Sequence, residues 1–214
     1  MTRFSAAPRR PPDEWFTEAA KVGLGAPLEI AAARLGLSAL DRLPPDAYVA
    51  VNFSPQTILS ADLPAMLRDM PTDRIVLEIT EHAHVGDYDC LLHALQPFRE
   101  RGIRVAVDDA GAGYATLQHI LQIRPDLIKL DVALTRHIDL DPVRKALAAA
   151  LVAFARDTGS RIIGEGVETA SELSTLRSIG IEKAQGYFLG RPMPIDEAAK
   201  LGEQQSSADA SRVA

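Results

Sequence analysis

Several apolar, β-branched runs of this sequence close on an acid or an amide: Asn52, Glu78, Asp108 with Asp109, Asp131 and Glu165. One acid in such a place is unexceptional, because a carboxylate after a strand caps the next helix well. Taken together they form a hard oxygen donor set of the kind that holds Mg²⁺ or Mn²⁺. The adjacent pair Asp108-Asp109 repel each other unless a cation sits between them. A carboxylate bridging two metals about 3.5–4 Å apart removes that repulsion, and such a pair suits phosphoester hydrolysis. Lys129 lies two residues before Asp131, so on a strand both point to one face. A lysine facing a protein interior is costly unless paired, which embeds Lys129 among the carboxylates.

Other chemistries lack their parts. His82 and His84 are close in sequence, but there is no HExxH and no Cys/His cluster, so a zinc site is not expected. There is no GxSxG elbow and no phosphate-binding P-loop. Gly111-Ala112-Gly113 is not followed by the rest of a dinucleotide fingerprint, and two acids precede it. Asn52, the only asparagine in the chain, precedes Ser54-Pro55, so a satisfied turn amide stands beside its reading as a ligand.

The elements that must position these residues alternate in type. Strands are predicted near 48–53, 74–80, 103–108, 127–131, 161–165 and 184–188. Helices are predicted near 13–23, 27–43, 57–69, 87–101, 114–122, 141–157, 170–179 and 195–203. Asp141-Pro142 is a cap followed by proline at the first helical position, and Thr169-Ala-Ser-Glu172 reads as a capping box. Strands separated by helices imply parallel βα units, and near-continuous apolar strands imply that both faces are covered. An open doubly wound sheet and a closed (β/α) barrel both fit that pattern. A TIM-like barrel is favoured because it gathers strand ends from the whole sheet at one mouth, where an open sheet strings them along an edge. The polar end, 204–214, reads as a disordered tail after a domain over 1–203.

The 214 residues, 47% hydrophobic and 24% charged with a net charge of −6, suit one soluble globular domain. No apolar run is long enough to span a membrane, and the basic start lacks the apolar stretch of a signal peptide. A single cysteine, Cys90, makes no internal disulfide, and a cytoplasmic location is expected. The acidic balance argues against non-specific nucleic-acid binding and is compatible with a small anion held through metal.

Six ordered blocks resemble the EAL domain: Val51-Asn-Phe-Ser-Pro55, Leu77-Glu-Ile-Thr-Glu81, Asp108-Asp-Ala-Gly-Ala-Gly-Tyr-Ala-Thr-Leu117, Ile128-Lys-Leu-Asp131, Glu165-Gly-Val-Glu-Thr169 and Gln185-Gly-Tyr-Phe-Leu-Gly-Arg-Pro192. The resemblance implies hydrolysis of cyclic di-GMP to linear pGpG with Mg²⁺ or Mn²⁺ at a two-metal site. It also implies an EAL-type barrel in bacterial second-messenger signalling. By the same resemblance Asn52, Glu78, Asp108, Asp109, Asp131 and Glu168 surround the metals. Glu165 is then the general base, and Lys129 stands beside the metals and the attacking water. Arg3 and Gln185 contact the substrate, and Glu81 steadies the loop after Asp108-Asp109. A homodimer and an upstream sensor domain are further expectations from the family.

Two positions depart from the family pattern. Ala110 stands where phenylalanine is commoner, which removes bulk but no ligand. Met1-Thr2-Arg3 aligns with the end of the signature Glu-Ala-Leu-x-Arg, so the signature glutamate and the first barrel strand fall before Met1. Three readings follow from the residues alone: an incomplete phosphodiesterase, a cyclic di-GMP receptor without turnover, or an interaction module. The first is preferred because the remaining site residues are all in place.

Overall fold

The computed structural model describes residues 4, 9–79, 85–111 and 114–210. Two helices lead in, α1 (Pro12–Lys21) and α2 (Gly25–Leu37), followed by strand β1 (Val49–Phe53). Short helices α3 (Pro55–Ile58) and α4 (Asp62–Leu67) precede β2 (Ile75–Ile79), then α5 (Tyr88–Glu100) and β3 (Arg104–Ala110). α6 (Tyr114–Ile123), β4 (Leu127–Leu130), α7 (Val132–Thr135), α8 (Pro142–Thr158) and β5 (Arg161–Gly164) continue the alternation. α9 (Ala170–Ser178), β6 (Lys183–Ala184) and α10 (Ile195–Ala210) complete it.

Among the described residues the six strands are parallel and pair in sequence order. Alternation along each strand sorts the core into two parts. Phe53, Leu77, Val105, Val107, Ile128, Leu130 and Ile162 belong to the large cluster shared with the helices. Val76, Ala106, Leu127 and Ile163 form a second cluster on the other face, with Tyr48 packed against it. In a flat sheet β1 and β6 would stand about 24 Å apart, five spacings of ~4.8 Å. Instead the ring of Tyr48, just before β1, lies 4.9 Å from the Lys183 ammonium on β6 and 4.4 Å from the Arg104 guanidinium on β3. The sheet therefore curls round the second cluster as a barrel wall. Among the described residues β1 and β6 are not hydrogen-bonded to each other, and a cavity of about 340 Å³ reaches from Tyr48 and Ala50 to Ala184 and Gln185.

Helix boundaries follow local chemistry. Asp141 accepts from the amides of Val143 (2.9 Å) and Arg144 (3.2 Å) at the start of α8, and the Thr169–Glu172 capping box opens α9. The stretch 57–69, predicted as one helix, is two. Pro64 has no N–H to bond the Ser60 carbonyl and its ring crowds that turn, so the chain breaks between Ile58 and Asp62. The predicted helix 27–43 stops at Leu37, where Ser38 turns its hydroxyl back onto the Leu35 carbonyl (2.7 Å), and a 3-10 turn covers Leu40–Arg42. The strand predicted over 184–188 is only Lys183–Ala184. The chain leaves the sheet at Gly186, whose Cα sits so close to Val167 that an added Cβ would be 2.2 Å from its backbone nitrogen. α10 runs to Ala210, into the stretch read from sequence as a polar tail.

Arg74 fastens the lead-in of β1 to that of β2. Its guanidinium donates to the carbonyls of Ala47 (2.8 Å), Pro44 (2.7 Å) and Leu43 (3.3 Å). Arg74→Met is expected to destabilise the protein by about 2–3 kcal/mol by leaving those acceptors unmet. Thermal unfolding should show Tm lower by about 4–12 °C; an unchanged Tm would mean these bonds do not hold the two strands together.

Candidate active site

Strand parity and strand length place the chemistry. Asn52 and Glu78 are register partners on β1 and β2, and Asp108 follows at the end of β3. Lys129 is on β4, and Glu165 is the residue after β5, its amide bonded to the Leu130 carbonyl (3.2 Å). These positions fall on the concave face at the carboxyl ends of neighbouring strands, so side chains 51 residues apart in sequence touch. The Lys129 ammonium lies 2.8 Å from Asp108 Oδ1, 3.0 Å from Glu165 Oε1 and 3.3 Å from Glu78 Oε2, with its side chain 8% exposed.

A regular strand would send Asp108 and Asp109 to opposite faces. The β3–β4 register shifts between Val107 and Ala110, so two residues stand where one would, and Asp109 adopts a left-handed backbone, φ 55°. This bulge lets both aspartates reach one site. Oxygens of Asp108, Asp109 and Glu165 lie within 4.8 Å of one another. The bulge is also consistent with Ala110: its side chain is fully buried, it pairs with Leu130, and its carbonyl accepts from the Asp131 amide (3.0 Å).

The charges shift one another. Burial pushes the Glu165 carboxyl up to about 7; Lys129 opposes the shift and Asp108 adds to it. Burial also raises Glu78, again against Lys129 and with the repulsion of Asp108. Burial alone would lower the Lys129 pKa, but Glu78, Asp108 and Glu165 together hold it above the ordinary lysine range. The lysine stays charged, and its one ammonium faces three carboxyl groups, with Asp109 a fourth beside Asp108 and Glu165. A hard divalent cation fits this all-oxygen, electron-rich donor set and would relieve its repulsion.

Gln185 joins the group by donating its side-chain amide to Glu165. Asp131 and Glu168 make other contacts. Asp131 caps α7, accepting from the Ala133 amide (2.6 Å), and Glu168 pairs with the guanidinium of Arg136. Arg3 and Glu81 lie outside the described residues. Three features escaped the sequence reading: the bulge, the Arg136 partner of Glu168, and the reach of Glu172 beyond its own helix. The bulge had a signal, since two consecutive acids cannot share a face of a regular strand.

Comparison with known proteins agrees with this geometry. The EAL domain family matches residues 2–192. The cyclic di-GMP phosphodiesterase PdeR of Escherichia coli K12 is 36% identical over 153 residues, 68% of this chain and 23% of PdeR. The structure of Klebsiella pneumoniae BlrP1 in a manganese/cyclic di-GMP complex superposes with a TM-score of 0.74 at 29% identity, over 85% of this chain and 48% of that one. The PaMucR phosphodiesterase, solved as a cyclic di-GMP complex, gives a TM-score of 0.78 at 26% identity, over 92% of this chain and 83% of that one. The chain spans about a quarter of the length of the first curated relatives it matches. With its curled parallel sheet and its acidic strand ends brought to one mouth, the chain belongs to the EAL domain family and has that family's TIM-like α/β barrel fold.

Proposed function

We propose that this domain hydrolyses cyclic di-GMP to linear pGpG with Mg²⁺ or Mn²⁺. The observation that carries the reading is the convergence of Glu78, Asp108 and Glu165 on the buried Lys129, beside a bulge that adds Asp109. Relatives named as cyclic di-GMP phosphodiesterases and metal-bound structural neighbours support it. Asn52, Glu78, Asp108 and Asp109 are the proposed metal ligands, with Asp131 and Glu168 as the further carboxylates proposed beside the metals. The bound metals would supply Lewis-acid stabilisation of the phosphoryl oxygens and a more acidic water.

The chain's own groups do the rest. A water oxygen attacks phosphorus, the P–O3′ bond breaks, and the 3′ oxygen gains a proton. Glu165 takes the proton from the water, a role that its place beside Lys129, Asp108 and Asp109 supports. Lys129 offsets part of the negative charge at the site and holds the Glu165 oxygen in place. Gln185 donates to the same Glu165 oxygen that Lys129 holds and is proposed to line the substrate pocket, with Arg3 on a substrate phosphate and Glu81 supporting the loop after Asp109. Leu140, just before α8, and Val143 in its first turn are 77% and 74% exposed and with Leu147 support pairing of two copies. Among the described residues no helix is long and apolar enough to cross a membrane. A sensor domain in the full-length protein and work in the cytoplasm complete the proposal.

Three outcomes are expected. With Mn²⁺ the chain should convert cyclic di-GMP to pGpG, EDTA should stop it, and Glu165→Gln should lower kcat by about 10²–10⁴-fold. Binding of cyclic di-GMP without turnover by the unaltered chain would make it a receptor instead. In metal-free protein Glu165 holds its proton to about pH 7, whereas an unfolded glutamate loses it near ~4.3. Its contribution to stability is therefore complete below about pH 4 and is lost as pH rises through 7. Relative to Glu165→Gln, the unaltered chain should lose about 1–3 kcal/mol between pH 4 and 8; parallel Tm profiles would contradict the shift. Val143→Lys should convert a dimer to a monomer by light scattering, and an unchanged mass would rule this face out.

A further inference from the structure

Glu172, in the first turn of α9, is 1% exposed. A carboxylate so buried must be well satisfied, and three backbone N–H groups do this. Oε1 accepts from His137 (2.9 Å), and Oε2 accepts from Glu168 (2.8 Å) and Thr169 (3.0 Å). Burial would raise its pKa, but the three amides outweigh burial and hold the group below the ordinary glutamate range. A capping box explains the Thr169 bond. It does not explain the bond to His137, which lies 35 residues earlier on the turn after α7 and has a left-handed backbone, φ 56°.

Two further contacts join the same pair of loops. Arg136, next to His137, pairs with Glu168. Gly166, at φ 65°, packs so tightly that a Cβ there would be 2.4 Å from Val132 Cγ2. The turn that follows Asp131 and the loop that runs from Glu165 to Thr169 thus form one body, and Glu172 is the buried group that accepts hydrogen bonds from both halves. We infer that Glu172 is a positioning residue: it holds the Glu165–Glu168 loop against the α7 turn so that Glu165 meets Asp108, Asp109 and Lys129. The inference rests on the reading of that acidic cluster as a divalent-metal site.

Thr169→Ala separates this role from helix capping. Thr169 Oγ1 accepts from the Glu172 amide (3.1 Å), so its loss weakens the cap but leaves the Glu172 carboxylate and its donors in place. Glu172→Gln keeps the size but sets an NH₂ against a backbone N–H, and Glu172→Asp is too short to reach both loops. Mn²⁺ affinity is read by the electron paramagnetic resonance of free ion, alongside Tm and the kcat and KM of cyclic di-GMP turnover. Both Glu172 variants should bind Mn²⁺ about 10–100-fold more weakly and lose kcat more than they raise KM. Thr169→Ala should lower Tm and leave Mn²⁺ affinity within about 2-fold, a change worth only ~0.4 kcal/mol. If Glu172→Gln does not fold, Glu172→Asp carries the comparison. The inference is overturned if Glu172 variants bind Mn²⁺ as the unaltered chain does, or weaken no more than Thr169→Ala. An unaltered chain that binds Mn²⁺ without cleaving cyclic di-GMP defeats the phosphodiesterase reading while the affinity comparison still decides Glu172; one that binds no Mn²⁺ defeats both.

Discussion

The ammonium of Lys129 holds together a site that would otherwise push itself apart. Glu78, Asp108 and Glu165 come from three different strands or strand ends and reach it within 3.3 Å. A lysine in an apolar interior tends to shed its proton, and carboxylates crowded in low dielectric tend to gain one. Here the two tendencies oppose each other. The lysine remains charged because three acids surround it, while burial, with Asp108 adding to it, raises Glu165. Breaking such a buried group by removing one partner leaves an uncompensated charge, so the lysine is as much a part of the fold at this end of the sheet as of its chemistry.

That arrangement requires the sheet to curl. Only on a concave face do side chains from β2, β3, β4 and the end of β5 point at one spot. The curl is supported at the opposite end by Tyr48, whose ring takes Arg104 and Lys183 against it. Burial and the charges of Arg104 and Arg161 depress the Lys183 pKa, and the apolar side chains of Val76, Ala106, Leu127 and Ile163 lie on the same face between this basic group and the acidic strand ends. The cavity between β1 and β6 runs past Val76, Leu127 and Ile163 and connects Tyr48 and Lys183 at one end with Glu78 and Lys129 at the other.

Much of this was legible in the residues themselves. Strand parity is a period-two property, so the shared face of Asn52, Glu78, Asp108, Lys129 and Glu165 follows once the strands are located. Caps at Asp141 and Thr169 are local chemistry and read directly. What failed to read depends on partners remote in sequence or on backbone irregularity. Nothing near Glu168 in sequence announces Arg136, 32 residues away. Asp131 carries the same chemical groups whether it faces a metal or caps α7, and only the path of the chain after Leu130 decides between them. The break at Pro64 and the departure of the chain at Gly186 were marked by residue type, but a helical or apolar period outweighed them in the reading.

The bulge in β3 shows why the irregular parts matter most for function. A regular strand would have given the site one aspartate and buried the other in the outer core, where an unpaired carboxylate is untenable. Shifting the register by one residue forces Asp109 into a left-handed backbone, a conformation costly for a non-glycine residue. Two features hold it there: the Asp108 carboxylate accepts from the Asp109 amide (3.0 Å), and Ala110 returns to the ladder opposite Leu130 with its methyl group fully buried. A bulky side chain at position 110 would have to find room in that outer core, whereas alanine fits without displacing Leu130. The local strain and the local charge excess thus coincide at Asp108-Asp109, and a divalent cation there would reduce the repulsion without undoing the fold that creates it.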